Sequence, residues 1–442
     1  MRICLISEYF YPDSGGGTGT VLSNLTRHLK DSYGDVEIDV ITSRHLYRAA
    51  PGAETSLSSQ DNWNGINIER LSTPRPHASN IKKRLLANLR FSWAALRAVI
   101  GRKRYDLVLV STAPPTAPIA AKALLGMTKT PYAYIVYDLF PDVAVALGVL
   151  DGQSRPAQVL YKAQRSWLHG AEKTIVLGRC MADHLVKTYQ LPRQKIEVIA
   201  VGADAEQVEP LPQQTAFRAN NDLNDFVVLW AGNFGHHQNF DAILDAAVAL
   251  NQSGRKVTFA FVGDGAKREY IASRIRNEGI TNARMFPFVP VAQFSDMLAS
   301  ADVSLVALEP GAEGLGVPSK FYNILASGRP TVALVAPGSE VAHVLEENNC
   351  GVRVDQDGAA LARAIGELAD DPARVERMGI NARRACEEKY SMTQVAHQFY
   401  EVLRDVACQS PQARRLLRTV PAAQSEEGVG QKAFDMGSKS RA

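Results

Sequence analysis

The chain is 442 residues long, enough for two to three domains that each bury a full core. Its 46% hydrophobic and 21% charged content is ordinary for a globular protein and excludes a fibrous or wholly disordered one. A net charge of +3 argues against nucleic-acid binding by the chain as a whole, but residues 1–205 hold 25 Lys and Arg against 17 Asp and Glu, and the remainder 24 against 29.

Short apolar runs alternate with amphipathic segments almost throughout, the pattern of βα units and parallel sheets. In the first half RICLIS, VEIDVITS, INIERLS, DLVLVST, YAYIVYD and KTIVLG read as strands, with helices near 18–31, 80–103, 116–127, 156–170 and 179–190. The polar, Pro-bearing stretch GADAEQVEPLPQQTAFRANNDLND marks a linker and domain boundary near 205–215. A second series follows in FVVLWAGNFG, VTFAFVGDG, ARMFPFV, DVSLVALEP, TVALVA and CGVRVD, with helices near 240–252, 266–279, 291–300, 318–327, 340–348 and 357–369. A last helix is expected over 385–408, and the Arg-, Ser-, Gln- and Gly-rich tail 409–442 reads as disordered. The expectation is therefore two doubly wound domains, 1–205 and 206–384, with a ligand crevice between the carboxyl ends of their sheets.

The five cysteines (Cys4, Cys180, Cys350, Cys386, Cys408) are scattered, with no CxxC or Cys/His spacing, which argues against a disulfide framework or structural zinc and for a cytosolic compartment. RICLIS meets Glu8, Pro12 and Asp13 too early for a signal peptide, and no uncharged apolar run approaches the ~20 residues of a membrane span.

After the first strand comes EYFYPDSGGGTGT. A dinucleotide fingerprint would need its third glycine at Thr20 or Leu22, counting from Gly15 or Gly17. What remains is a loop in which Gly15, Gly16 and Gly17 let backbone N–H groups approach an anion at a helix N-terminus, or a loop with no ligand at all. Further on, GLGVPSKFYNILASG sets Gly314 and Gly316 in a loop, Pro318 at a first helical turn, and Ser319 and Lys320 where a pyrophosphate could sit.

The stretch DVSLVALEPGAEGLGVPSKFYNILASGRPTVALVAPGSEVAHVLEENNCGV resembles the donor-binding segment of the retaining, two-domain (GT-B fold) glycosyltransferases of family four. Within that group it is similar to the bacterial polysaccharide, O-antigen and colanic-acid enzymes that carry P-S-K before the helix. AGNFGHHQNFDAILDA, FVGDG, the opening glycine loop and YSMTQVAHQFYEVL match the same family in the same order, so the resemblance covers residues 1–405. It implies two Rossmann-like domains facing a cleft, a C-terminal helix crossing back to the first domain, and a nucleoside diphosphate-sugar donor with no metal and no cofactor. Gly16 and Gly17 would face the sugar-phosphate end, while Gly316, Val317, Ser319, Lys320, Asn323 and, at a turn, Asp264 would lie on the donor side.

The match has departures. The family carries two glutamates separated by seven residues; Glu313 fits the first, but Asn323 stands at the second, where its amide could still bond a ribose hydroxyl. The family's Arg and Lys after the first strand of domain two are Asn233 and Gln238 here, and Lys320 is the candidate replacement cation. Asp138, at the end of YIVYD, would position the acceptor or relay its proton, with Asp142 second; capping the next turn is the alternative for Asp138. The pair His236–His237 lacks a third ligand and is not read as a metal site. The chemistry implied is substitution at an anomeric carbon with retention, with electrostatic stabilisation of the leaving diphosphate and an oxocarbenium-like transition state. The two-carboxylate arrangement of retaining glycosidases does not transfer.

Residues 71–105 contain nine Lys and Arg and no acid. Ile81, Leu85, Leu89, Trp93, Leu96 and Ile100 form an apolar stripe flanked by Lys82, Lys83, Arg84, Arg90 and Arg97. This reads as an interfacial membrane helix, or as a surface helix whose Leu and Trp pack on the sheet beneath a solvated basic rim. No nucleic-acid-binding fold accompanies the patch. Together the readings give a hexosyl- or deoxyhexosyltransferase acting on a growing, lipid-linked lipopolysaccharide or exopolysaccharide, cytoplasmic and peripheral at the inner membrane face. Two rivals stand beside it: a GT-B sugar-nucleotide epimerase, and a catalytically silent scaffold subunit, which the residues Asn233, Gln238 and Asn323 motivate.

Overall fold

Runs such as LVLVS, YAYIV and VTFAFV have no polar alternation because both of their faces are covered, and each is buried along its whole length. The computed structural model describes residues 1–13, 17–46, 57–74, 81–101, 104–205, 207–235, 238–309, 311 and 314–411, without the side chains of Ile81 and Lys82. In the first half the strands are β1 (Arg2–Ile6), β2 (Glu37–Ser43), β3 (Gln60–Trp63), β4 (Ile66–Leu71), β5 (Leu107–Ser111), β6 (Tyr132–Val136), β7 (Lys173–Val176) and β8 (Ile196–Val198). In the second they are β9 (Phe226–Ala231), β10 (Val257–Val262), β11 (Ala283–Phe286), β12 (Val303–Ala307), β13 (Thr331–Leu334) and β14 (Gly351–Val354).

The first sheet runs β3-β4-β2-β1-β5-β6-β7-β8 and the second β11-β10-β9-β12-β13-β14. Every pair is parallel except the β3–β4 hairpin. Strand order reverses between β1 and β5 in one sheet and between β9 and β12 in the other. Helices on either side of such a point leave for opposite faces, and a crevice opens at the carboxyl ends. Leu22, Leu25 and Leu29 of the helix Thr18–Ser32 accordingly join one core, while Phe91, Ala95 and Ala120 join the core on the opposite face.

Several details depart from the expected elements, among them the three-residue strand β8 (Ile196–Val198), which no expected strand covers. The strand β3 was not anticipated, because its residues are mostly exposed; it is closed by Asn64 and Gly65, both at positive φ, the turn that Asn-Gly favours. The helix expected over 385–408 begins only at Met392, capped by Ser391 and running to Ala407, and a helix that no expected element covers, Pro372–Ala385, precedes it through a wide turn at Cys386–Tyr390. The expected linker is partly ordered, with the short helix Ala216–Asn220 capped by Thr215, and with buried Asp204 2.6 Å from Arg27.

The helix Met392–Ala407 crosses back to the first domain. Tyr400 stacks on Tyr33 at 3.7 Å, Tyr33 Oη lies 2.8 Å from His397 Nδ1, and Ala203 donates to Tyr390 O at 2.9 Å. The predicted tail falls almost wholly outside the described residues.

Candidate functional site

In the first domain the crevice between β1 and β5 is built by Glu8, Thr112 and Asp138. The Glu8 N–H donates to Ala113 O at 2.6 Å, and its carbonyl accepts from Thr42 Oγ1 and the Ser43 N–H at 3.0 and 3.1 Å. Its side chain is thereby turned inward, and burial raises the carboxyl to about 7, with Arg84 opposing the shift only in part. Nothing in the local sequence marks Glu8, because its backbone partners lie on and beyond two strands distant along the chain, β2 and β5. A buried acid with a raised pKa at a topological switch point is a functional-site signal.

Asp138 lies two residues beyond β6 and is exposed. The N–H groups of Tyr137 and Asp138 both point at Thr112 Oγ1, at 3.2 and 3.4 Å. A Cβ placed on Gly316 would stand 3.2 Å from Asp138 Oδ1, so two expected site residues meet across the domain boundary. Asp142 is buried instead, 2.8 Å from His184 Nε2 and bonded by the Tyr189 hydroxyl. It orients His184, whose Cβ would be 3.6 Å from a Cβ on Gly314. Gly17, at φ 78°, caps the helix Thr18–Ser32 without a side-chain bond; Gly16 and Glu313 lie outside the described residues.

The second crevice, between β9 and β12, depends on glycine. A Cβ on Gly263 would stand 1.9 Å from Gly232 O, so the loops leaving β9 and β10 lie backbone against backbone. Asp264 serves this turn, accepting from the Gly265 N–H at 2.8 Å through its side chain and from the Phe234 N–H at 2.9 Å through its carbonyl. Gln238 closes its own loop, its Oε1 accepting from the Gly235 N–H at 2.6 Å. Asn233 is exposed at the same loop, and His236 and His237 lie outside the described residues. Sequence reasoning missed Lys267, which donates to Gln238 O at 2.9 Å and stands 3.6 Å from Glu309 Oε1. It places a cation beside Asn233 and Gln238; the only local signal was its position just after VGDG.

The helix expected over 318–327 is the seven-residue Lys320–Ala326, and the Ser319 side chain makes no cap bond. Lys320 does not project into the crevice as anticipated. Its stem is partly exposed, but Nζ is sealed from solvent, 2.9 Å from the centroid of the Trp230 ring and without a hydrogen-bond partner. Burial alone drives its pKa well below the usual lysine value. Beside it lies a cavity of about 190 Å³ lined by Gly232, Val262, Phe288, Met297, Ser319, Lys320 and Asn323, among others. Val317 and Gly316 instead border a small recess with Cys180, Gly314 and Glu340, between the domains.

That recess is held by contacts that the sequence does not announce. Glu340, nearly buried, accepts from the Arg179 N–H at 2.7 Å and from Arg179 Nη2 at 3.0 Å, and Glu347 bonds the same guanidinium. The Leu139 N–H donates to Leu315 O at 3.1 Å.

On the helix Ile81–Val99 the inward face is Ala87, Phe91, Ala95, Leu96 and Val99. Leu96 is thus buried rather than part of the outer stripe. Leu85, Leu86, Leu89, Trp93 and Ile100 face outward, with Trp93 60% exposed, among exposed Lys83, Arg84, Arg90 and Arg97. The alternative that Leu and Trp pack on the sheet does not hold for these residues. Among the described residues no helix is long and apolar enough to cross a membrane.

Two family models match the chain: a glycosyl transferase 4-like domain over residues 16–202 and glycosyl transferases group 1 over residues 213–385. A probable glycosyltransferase of Pseudomonas aeruginosa, WbjE, is 27% identical over 88% of this chain and 94% of its own length. A putative colanic acid biosynthesis glycosyl transferase of Escherichia coli, WcaI, is 24% identical over 61% of this chain and 68% of its own. The crystal structure of Anabaena HepE in complex with UDP and glucose superposes with a TM-score of 0.66 at 16% identity, covering 91% of this chain and 99% of that one. The two Rossmann-like domains with parallel sheets are the GT-B fold.

Proposed function

The chain belongs to the group 1 glycosyltransferases, and on that premise we propose that it transfers a sugar from a nucleoside diphosphate-sugar to a growing, lipid-linked surface glycan, with retention of anomeric configuration. The observation that carries the reading is the second switch point, where Gly232, Ser319, Lys320 and Asn323 share one cavity at the carboxyl ends of β9 and β10. The close packing of the loops at Gly232 and Gly263 shapes a crevice at the carboxyl ends of the strands, where ligands bind in other open α/β sheets. Lys320 and Lys267 would supply the positive charge that Asn233 and Gln238 do not, so the reaction draws on side chains rather than on a metal. UDP and glucose in the related HepE structure support a donor of this class.

In this reading the acceptor hydroxyl enters from the first domain, between Glu8 and Asp138. Asp138, across from Gly316, positions that hydroxyl at the anomeric carbon, and the leaving diphosphate takes its electron pair toward Lys320. The outward Leu85, Leu89 and Trp93 with their basic flank dock the first domain on an anionic leaflet, where each Lys or Arg contributes about 1 kcal/mol. WcaI, a putative colanic acid biosynthesis glycosyl transferase, supports a role in polysaccharide assembly.

The test is transfer of radiolabel from UDP-, GDP-, ADP- and dTDP-sugars into lipid extracts of polysaccharide-producing cells. Label in the lipid phase, lost in Asp138→Asn, supports the reading. Release of free sugar or its epimer without lipid label favours an epimerase. No turnover with membrane binding intact favours the scaffold.

A further inference from the structure

We propose that donor binding is coupled to uptake of one proton: the Lys320 amine, uncharged in the free protein, leaves the Trp230 ring, turns into the cleft and meets the diphosphate as an ammonium. This rests on the reading of the second crevice as the donor site and goes beyond it, since a lysine already in place would need no proton.

The geometry makes the stowed amine unlike an ordinary anion ligand. Nζ lies 2.9 Å from the Trp230 centroid, buried, with no acceptor in reach. An ammonium there would forfeit its hydration and receive only an aromatic face in return, which does not offset the loss. The Trp230 indole N–H, itself buried and unpartnered, offers no acceptor either. The ring beneath the amine is Trp230 of β9, and the cavity that the Lys320 stem borders is lined by Gly232 just past β9, Val262 of β10, Phe288 and Met297 after β11, and Ser319 and Asn323. None of them titrates in the working range, and burial is the one cause of the lowered basicity.

The route out is open. The stem of Lys320 borders the cavity of about 190 Å³, and a Cβ on Gly232 would come to 3.8 Å from Lys320 Cδ, so the missing side chain leaves room along the stem. The lysine stem has four rotatable carbons and a head that accepts any approach direction. A diphosphate in the crevice supplies the opposite charge that restores the ammonium. The chemistry is a protonation alone: the amine lone pair takes a proton from water or buffer, and no other bond changes.

Isothermal titration calorimetry of UDP, GDP, ADP and dTDP with the full chain at pH 8.5, in buffers of different ionisation heat, counts the protons. At that pH the terminal phosphate, whose second pKa is about 6, is already fully ionised. The tightest of the four is expected to bind with close to one proton taken up, and its Kd to weaken close to tenfold per pH unit between 8 and 9. Lys320→Met is expected to bind more weakly, with no proton uptake and no such slope. Wild-type binding without proton uptake overturns the proposal and leaves the donor site standing. Uptake that persists in Lys320→Met also overturns it, by assigning the proton to another group. If none of the four binds, the donor-site reading itself fails and this inference falls with it. Should the variant fail to fold, the wild-type proton count and pH slope still decide.

Discussion

Replacing Glu8 by Gln should stabilise the first domain, and should do so only above acidic pH. In the fold the carboxyl is raised to about 7 from an ordinary 4.5, chiefly by burial, so folding favours its protonated form. Below pH 4.5 both states hold the proton and the wild type carries no penalty. As pH rises from 4.5 to 7 the unfolded chain releases it while the fold retains it, and stability falls. The span is about 2.5 pH units at about 1.36 kcal/mol each, or roughly 3 kcal/mol in full above pH 7. Gln keeps the shape without the charge. The gain of Glu8→Gln over wild type should therefore grow from near zero at pH 4.5 to roughly 2–3 kcal/mol at pH 8. Hydrogen exchange at the β1 amides between pH 5 and 8 reads the first domain alone, free of the two-domain unfolding problem. A difference between variant and wild type that stays constant over that range would refute the reasoning. Glycosyl transfer should fall in the same variant, since burial of an acid at a switch point is a cost that function explains.

Arg179→Ala leaves Glu340 nearly buried and without its guanidinium partner, so it should cost about 1–3 kcal/mol and let the domains part, which small-angle scattering would record as a larger radius of gyration. Changing Arg84, Arg90 and Arg97 together to Ser should weaken sedimentation with phosphatidylserine vesicles by roughly a hundredfold, at about 1 kcal/mol per residue, and leave binding to neutral vesicles unchanged. Gly263→Ala should abolish nucleotide binding and lower the melting temperature, because its Cβ would strike Gly232 O; an unperturbed variant would mean that the β9 and β10 exits are not packed as described.

The parallel sheets were legible because their strands are short, several of them apolar along almost their whole length, and spaced by amphipathic segments, and the order of the motifs was enough to suggest the GT-B fold. What escaped was whatever depends on distant partners. Glu8 looks like a loop acid until β2 and β5 close over it, and Arg179 meets Glu340 across 161 residues. The helix at Pro372 had a local signal, Asp371 before a proline, that went unread beside the stronger periodicity after it. On the basic helix the inner face uses Ala87 and Ala95, small residues that a search for large apolar spacing passes over, so the Leu and Trp stripe could be assigned to either side. Lys320 was legible as a donor-side residue, but its direction was not, because the Trp230 ring it lies on comes from β9, distant along the chain.

The measurement closest to the central claim is a thermal-shift comparison of wild type and Lys320→Met with UDP, GDP, ADP and dTDP, each with and without EDTA. A nucleotide at about a hundred times its Kd stabilises its protein by roughly 2.7 kcal/mol, a readily seen shift. The account predicts that one nucleoside diphosphate raises the wild-type melting temperature equally with and without EDTA, and that the shift shrinks in Lys320→Met. No shift with any of the four at millimolar concentration, or one that EDTA abolishes, would contradict it.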